Sequence, residues 1–203
     1  MFRARAVLPA GAFAALAVAV SAGAFTRVDQ WAIDHLMPGG SFHGGKPPLI
    51  NGLVPLLHTH FDSGYSVAVN IVTLPASFLI ALAIVVACSR LLGVALVAAV
   101  AVEVICKEVL TKPALYDGSF HITAFDTSFP SGHALRTMLV AAALTLRWPH
   151  ARVFAIVWAI ASIVLLLLAG WHTPTDLAGG ALLAALALLG VRALGGGRLA
   201  RRA

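Results

Sequence analysis

Long apolar runs, each close to the length of a bilayer crossing, follow one another along most of this chain with only short polar breaks between them. They predict helices rather than strands, because a run of about 20 apolar residues matches a spanning helix and is far longer than a strand needs. The expected spans are residues 6–25, 65–88, 91–110, 132–146, 153–169 and 174–193. The fourth is the shortest and runs out into Arg147, Trp148 and Pro149. Residues 26–64 break the series, since Gly39, Gly40, Gly44, Gly45, Pro47 and Pro48 interrupt a polar stretch that cannot cross. This segment is expected at the membrane surface, with interfacial helices around Trp31 and around Leu53 to Leu57.

Composition agrees with that pattern. Of the 203 residues, 60% are hydrophobic and 11% are charged, and the mean hydropathy is +0.94. The fold class expected is therefore all-α, a polytopic membrane helix bundle of about six spans forming a single membrane domain over residues 1–203, with no separate soluble domain. Lys and Arg gather on the cytoplasmic side of short loops. With a cytoplasmic amino terminus, nine of the 14 basic residues (Arg3, Arg5, Arg90, Arg147, Arg152, Arg192, Arg198, Arg201 and Arg202) fall inside. Both termini are then cytoplasmic, segment 26–64 is extracytoplasmic, and the expected location is a bacterial plasma membrane. The basic charge is thus accounted for by topology, which argues against a nucleic-acid partner.

Three features change the picture little. Arg3 and Arg5 before an apolar run ending in Ala22-Gly23-Ala24 also resemble a secretory signal with a small-residue cleavage site, without altering the topology downstream. Cys88 and Cys106 are expected at opposite ends of adjacent spans, too far apart for a bridge. His35, His43, His58 and His60 match no standard ligand spacing, so no metal or other cofactor is expected, and segment 26–64 reads better as a lid or entry gate.

The chemistry lies in two stretches at the mouths of helices. Pro130-Ser131-Gly132-His133 offers Ser131 as a helix N-cap, free first-turn amides that suit phosphate oxygens, a glycine that permits close approach, and an imidazole. His172-Thr173-Pro174-Thr175-Asp176 has Thr173 to cap the last helix, Pro174 at its first position and Asp176 in its first turn. Capping alone explains those three residues. It does not explain His172, one turn from Asp176, where a carboxylate can fix one ring nitrogen and leave the other free as a nucleophile. Lys107, Lys112 and Arg136 add positive charge near both stretches, although each alone could be a side chain snorkelling to the interface.

The order Lys107, Pro130-Ser131-Gly132-His133, His172 and Asp176 resembles the type 2 phosphatidic acid phosphatase (PAP2) family, which shares its helical core with vanadium haloperoxidases. The resemblance covers roughly residues 107–180. It implies that His172 attacks phosphorus to form a phosphohistidine, that Asp176 orients it and that His133 protonates the leaving oxygen. Lys107, Ser131 and Gly132 would hold the phosphate, without a metal. The family's arginines are missing from their expected places: Ala114 stands seven residues after Lys107, and Leu165 and Leu166 occupy the positions six to seven residues before His172.

Two readings of those gaps are open. Lys112 and Arg136 substitute for the lost arginines in an active enzyme, although a lysine lacks the bidentate fork of arginine. Alternatively, catalysis has been lost and the chain binds a lipid headgroup. A site between helices at the outer face favours a lipid phosphate as substrate, such as a polyprenyl pyrophosphate, phosphatidic acid or phosphatidylglycerol phosphate. A small transporter using the same His and Asp residues is a distant third reading, because span 153–169 carries only Ser162 as a polar side chain. Gly179, Gly180 and Ala184 form a small-residue surface on which a homo-oligomer could assemble.

Overall fold

The computed structural model describes residues 2–37, 77–168 and 170–199. The helices are α1 (Phe2–Ser21), α2 (Thr26–Leu36), α3 (Ser77–Cys88), α4 (Arg90–Val109), α5 (Gly132–Arg147), α6 (Arg152–Leu168) and α7 (Pro174–Leu199). Each of the six expected spans carries a helix, and α2 is an addition to them. The beginning of the second span, and with it most of segment 26–64 including His43, His58 and His60, lies outside the described residues. The described residues are all-α apart from a two-residue ladder pairing Tyr116–Asp117 with Phe120–His121.

Among the described residues, two helical stretches are long and apolar enough to cross a membrane, Pro149–Leu168 and Pro174–Leu194. A third is obtained if α1 and α2, bent by 77° from one another, count as one broken span. The bend is made by Gly23 at φ +78°, a conformation that costs glycine little, and Thr26 Oγ1 donates to the Gly23 carbonyl at 2.9 Å. Ser89 separates α3 from α4 and caps the latter, its hydroxyl accepting from Leu92 N at 3.3 Å.

Helix α5 is the hub, packed against α3, α4, α6 and α7, while α1 covers the flank of α7. The main core joins Ala81 and Val85 of α3, Leu92 and Leu96 of α4, Leu135 and Leu139 of α5, and Leu183 and Ala184 of α7. Small residues bring the helix backbones close, as where Ala155 and Ala159 of α6 meet Ala141 of α5. The outer face of α6 exposes Val153, Phe154, Ile156, Val157, Ile160 and Val164, an apolar surface suited to lipid and not to water. It is a membrane protein.

A second, smaller core lies beside the mouth of the bundle. Ile33 of α2 and Met37, the residue that follows the helix, pack there with Leu115, Ile122 and Phe125 from the connection between α4 and α5. Gln30 fastens the two parts together, donating from Nε2 to the Tyr116 carbonyl at 2.7 Å and accepting from Tyr116 N at 3.0 Å. The polar helix α2, expected only as an interfacial element, thus forms one wall of the region where both motifs converge.

Candidate active site

Both motifs open helices, as their capping residues require. Ser131 caps α5, its hydroxyl accepting from Ala134 N at 3.2 Å, and Gly132 and His133 form the first turn. At α7, Pro174 takes the first position and Thr173 N donates to Asp176 Oδ2 at 3.0 Å. The two turns are stitched together by Ser131 N, which donates to the Asp176 carbonyl at 2.9 Å. Gly180 makes this approach possible, because a Cβ there would collide with the Ser131 carbonyl, and one on Gly179 would collide with the Phe129 ring. Gly179, Gly180 and Ala184 are accordingly buried inside the chain, so that surface is spent on intramolecular packing.

Residues 39 positions apart now meet: His133 Nδ1 lies 3.2 Å from His172 Nε2. The other nitrogen of His172, Nδ1, faces Asp176 Oδ2 at 3.9 Å and has no hydrogen-bond partner among the described residues. Asp176 itself is fully buried and held from several sides. Ser128 Oγ donates to Oδ2 at 2.7 Å, and Lys112 Nζ donates to Oδ1 at 3.0 Å.

Lys112, offered by the sequence as one candidate replacement for a phosphate-binding arginine, lies behind Asp176. Its ammonium group also contacts Asp29 Oδ2 at 2.9 Å and Thr173 Oγ1 at 2.6 Å. Asp29 comes from α2 and reaches across the fold to Thr175, accepting from its amide at 3.1 Å and from its hydroxyl at 2.6 Å. Lys112, Asp29 and Asp176 are all buried, so two carboxylates share one ammonium. This group stands beside His172, whose Nδ1 faces Asp176 Oδ2.

A second charged group surrounds the start of α5. Glu103, buried in α4, accepts from Lys107 Nζ at 2.7 Å and from Arg136 Nη1 at 3.4 Å. Its carboxylate occupies the space that a Cβ on Gly132 would need. Lys107 and Arg136 are also near enough for their charges to act on His133. Arg136 is almost wholly buried, yet its Nε and Nη2 have no hydrogen-bond partner among the described residues.

A family model described as the PAP2 superfamily matches residues 91–198, more than half of the chain. The chain belongs to this superfamily. PAP2 membership supports a phosphatase-type hydrolase acting on phosphate esters. Neither curated proteins nor solved structures yielded a match. The PAP2 match spans α4 to α7 and takes in both histidines, Asp176, Lys112 and Glu103, but it excludes Asp29.

Sequence reasoning passed over Asp29 and Glu103. Asp29 carried no signal, being one acid in a polar stretch with no motif. Glu103 did carry one: it is a carboxylate inside the apolar run 91–110, four residues before Lys107.

Proposed function

We propose that this protein hydrolyses a lipid phosphate or pyrophosphate at the extracytoplasmic end of the bundle, without a metal, through a phosphohistidine on His172. The observation that carries the reading is the His133–His172 pair at 3.2 Å with Asp176 behind the far nitrogen of His172. In the first step the lone pair of His172 Nε2 attacks phosphorus, the bond from phosphorus to the leaving oxygen breaks, and His133 gives that oxygen its proton. In the second step, neutral His133 takes a proton from water, the water oxygen attacks phosphorus, and the P–N bond breaks to return neutral His172. Phosphorus cannot fit between nitrogens 3.2 Å apart, so the substrate enters in place of the histidine pair's hydrogen bond.

Phosphorylation at Nε2 leaves the imidazole cationic, with its Nδ1–H turned toward Asp176. The buried Asp29–Lys112–Asp176 group, with its surplus negative charge, stabilises that cation. Charge that spreads over the equatorial oxygens is met by Arg136, Lys107 and the first turn of α5. An apolar cavity of about 440 Å³ between α1, α4 and α7 runs from Val102 and Leu183 toward Leu91 and Leu194, away from the histidines. Its lining supports a substrate with a hydrocarbon tail over a soluble ester.

The commitment of Lys112 to two carboxylates favours the competing reading, a PAP2-like headgroup binder without turnover. One experiment separates the two. Purified protein in detergent is assayed for phosphate release from lipid mono- and diphosphates, with and without chelator, beside His172→Ala and His133→Ala. Release is expected to vanish in His172→Ala and to be insensitive to chelator. In His133→Ala the rate is expected to fall about 10²–10⁴-fold on lipid phosphates and much less on an aryl phosphate whose leaving oxygen needs no proton. Release that survives His172→Ala excludes the phosphohistidine, and binding without release establishes the headgroup binder.

A further inference from the structure

The phosphate cradle already contains an anion. Glu103 lies at the start of α5 between Lys107 and Arg136, the position that the positive end of a helix and two cations make attractive to a phosphate. We propose that the Glu103 carboxylate is the built-in counter-ion of the empty cradle, displaced by the substrate's phosphate and returning to expel inorganic phosphate after hydrolysis. The inference rests on the phosphatase reading above and adds a device for product release to it.

Two observations carry it. The first is that Glu103 serves Arg136 poorly. Charge-assisted N–H···O contacts normally lie at about 2.7–2.9 Å, whereas this one is 3.4 Å and uses one of the three guanidinium nitrogens. The other two, Nε and Nη2, are buried without a partner among the described residues. A buried guanidinium costs several kcal/mol of desolvation that only good pairing offsets, on the order of what is lost when a buried pair is broken. Its orphaned donors point to a second anion that completes the site.

The second observation is that Glu103 cannot simply be absent. The side chains of Glu103 and Arg136 are 4% and 6% exposed, and two cations left unpaired in so dry a place between turnovers would be unstable. An internal carboxylate neutralises them when no substrate is bound. Because inorganic phosphate offers the same oxygens as the substrate, a cradle of this kind would retain its product, and a carboxylate on a hinge of three side-chain bonds competes with it. Lys107, whose side chain is 27% exposed, is the more open side from which the anions exchange.

The test is product inhibition in Glu103→Gln, which keeps the shape of the side chain and removes its charge. Inorganic phosphate is expected to inhibit this variant at least about tenfold more tightly than wild type. KM and kcat should both fall, since release of phosphate becomes slow. A structural lesion would instead raise KM. Phosphate should also protect Glu103→Gln and the double variant with His172→Ala from thermal unfolding more strongly than it protects the corresponding proteins with Glu103. An equal or weaker inhibition by phosphate in Glu103→Gln overturns the proposal while leaving the phosphatase reading intact. Absence of both hydrolysis and phosphate binding in wild type sinks both. Should the variant not fold, infrared difference spectra of wild type on adding phosphate decide: a shifted carboxylate band is expected, and no shift overturns the proposal.

Discussion

Lys112 illustrates how a single side chain can change meaning once its surroundings are known. A lysine followed by proline near a phosphate site invites the role of phosphate ligand, yet its ammonium is enclosed by Asp29, Asp176 and Thr173. Removing it leaves two buried carboxylates facing one another without a cation. Lys112→Met is therefore expected to destabilise the protein by about 3–5 kcal/mol, read from unfolding in detergent. The loss should reach catalysis through Asp176 and leave phosphate affinity little altered, which a substrate-binding lysine would not do. Arg136 presents the reverse case, a cation with donors to spare. Of the two residues offered as replacements for the missing family arginines, it is the one with free capacity to bind.

At the scale of elements, the site depends on how closely α5 and α7 begin beside each other. Gly180 sets that distance, since its bare Cα lies against the Ser131 carbonyl. Gly180→Ala adds a methyl group that only a backbone shift can accommodate, at a cost of about 1–3 kcal/mol. The expected result is a folded protein with kcat reduced by an order of magnitude or more, measured on the purified variant against its thermal midpoint.

The sequence was most legible where local rules coincide. Apolar runs, N-caps at Ser131 and Thr173 and the acid in the first turn of α7 announced the helices and the two motifs. What stayed hidden needed tertiary contact. Asp29 meets its partners only in the folded chain, Lys112 and, 146 residues away, Thr175, and no periodicity or spacing records such pairings. The charged residues near the motifs could be identified, but not assigned, because a cation's partner depends on which carboxylate the packing brings to it.

For the molecule as a whole, the bundle is polarised. The histidines, Asp176, the ladder at Tyr116 and α2 lie at one end, and the turn at Pro149–Ala151 lies at the other end of α5 and α6. The charge pattern predicts that the first end is extracytoplasmic. In a variant lacking Cys88 and Cys106, a cysteine introduced by Thr127→Cys should react with a membrane-impermeant maleimide on intact cells. One introduced by His150→Cys should react only after permeabilisation. Both positions are exposed, and the opposite labelling pattern would invert the topology and move the substrate to the inner leaflet.

The Asp29–Thr175 contact also has a temporal side. Residue 29 leaves the ribosome 146 residues before its partner, an interval of about 7–30 s at ordinary rates of synthesis. Throughout it, α2 carries a carboxylate whose buried resting place is still incomplete. The helix pair made first is thus completed by a turn made 146 residues later, so the ring of contacts behind the nucleophile closes only once that turn has emerged. A chain stalled before Thr175 leaves Asp29 without the amide and the hydroxyl that donate to it, a polar flaw by which the cell's proteases tell an unfinished copy from a finished one.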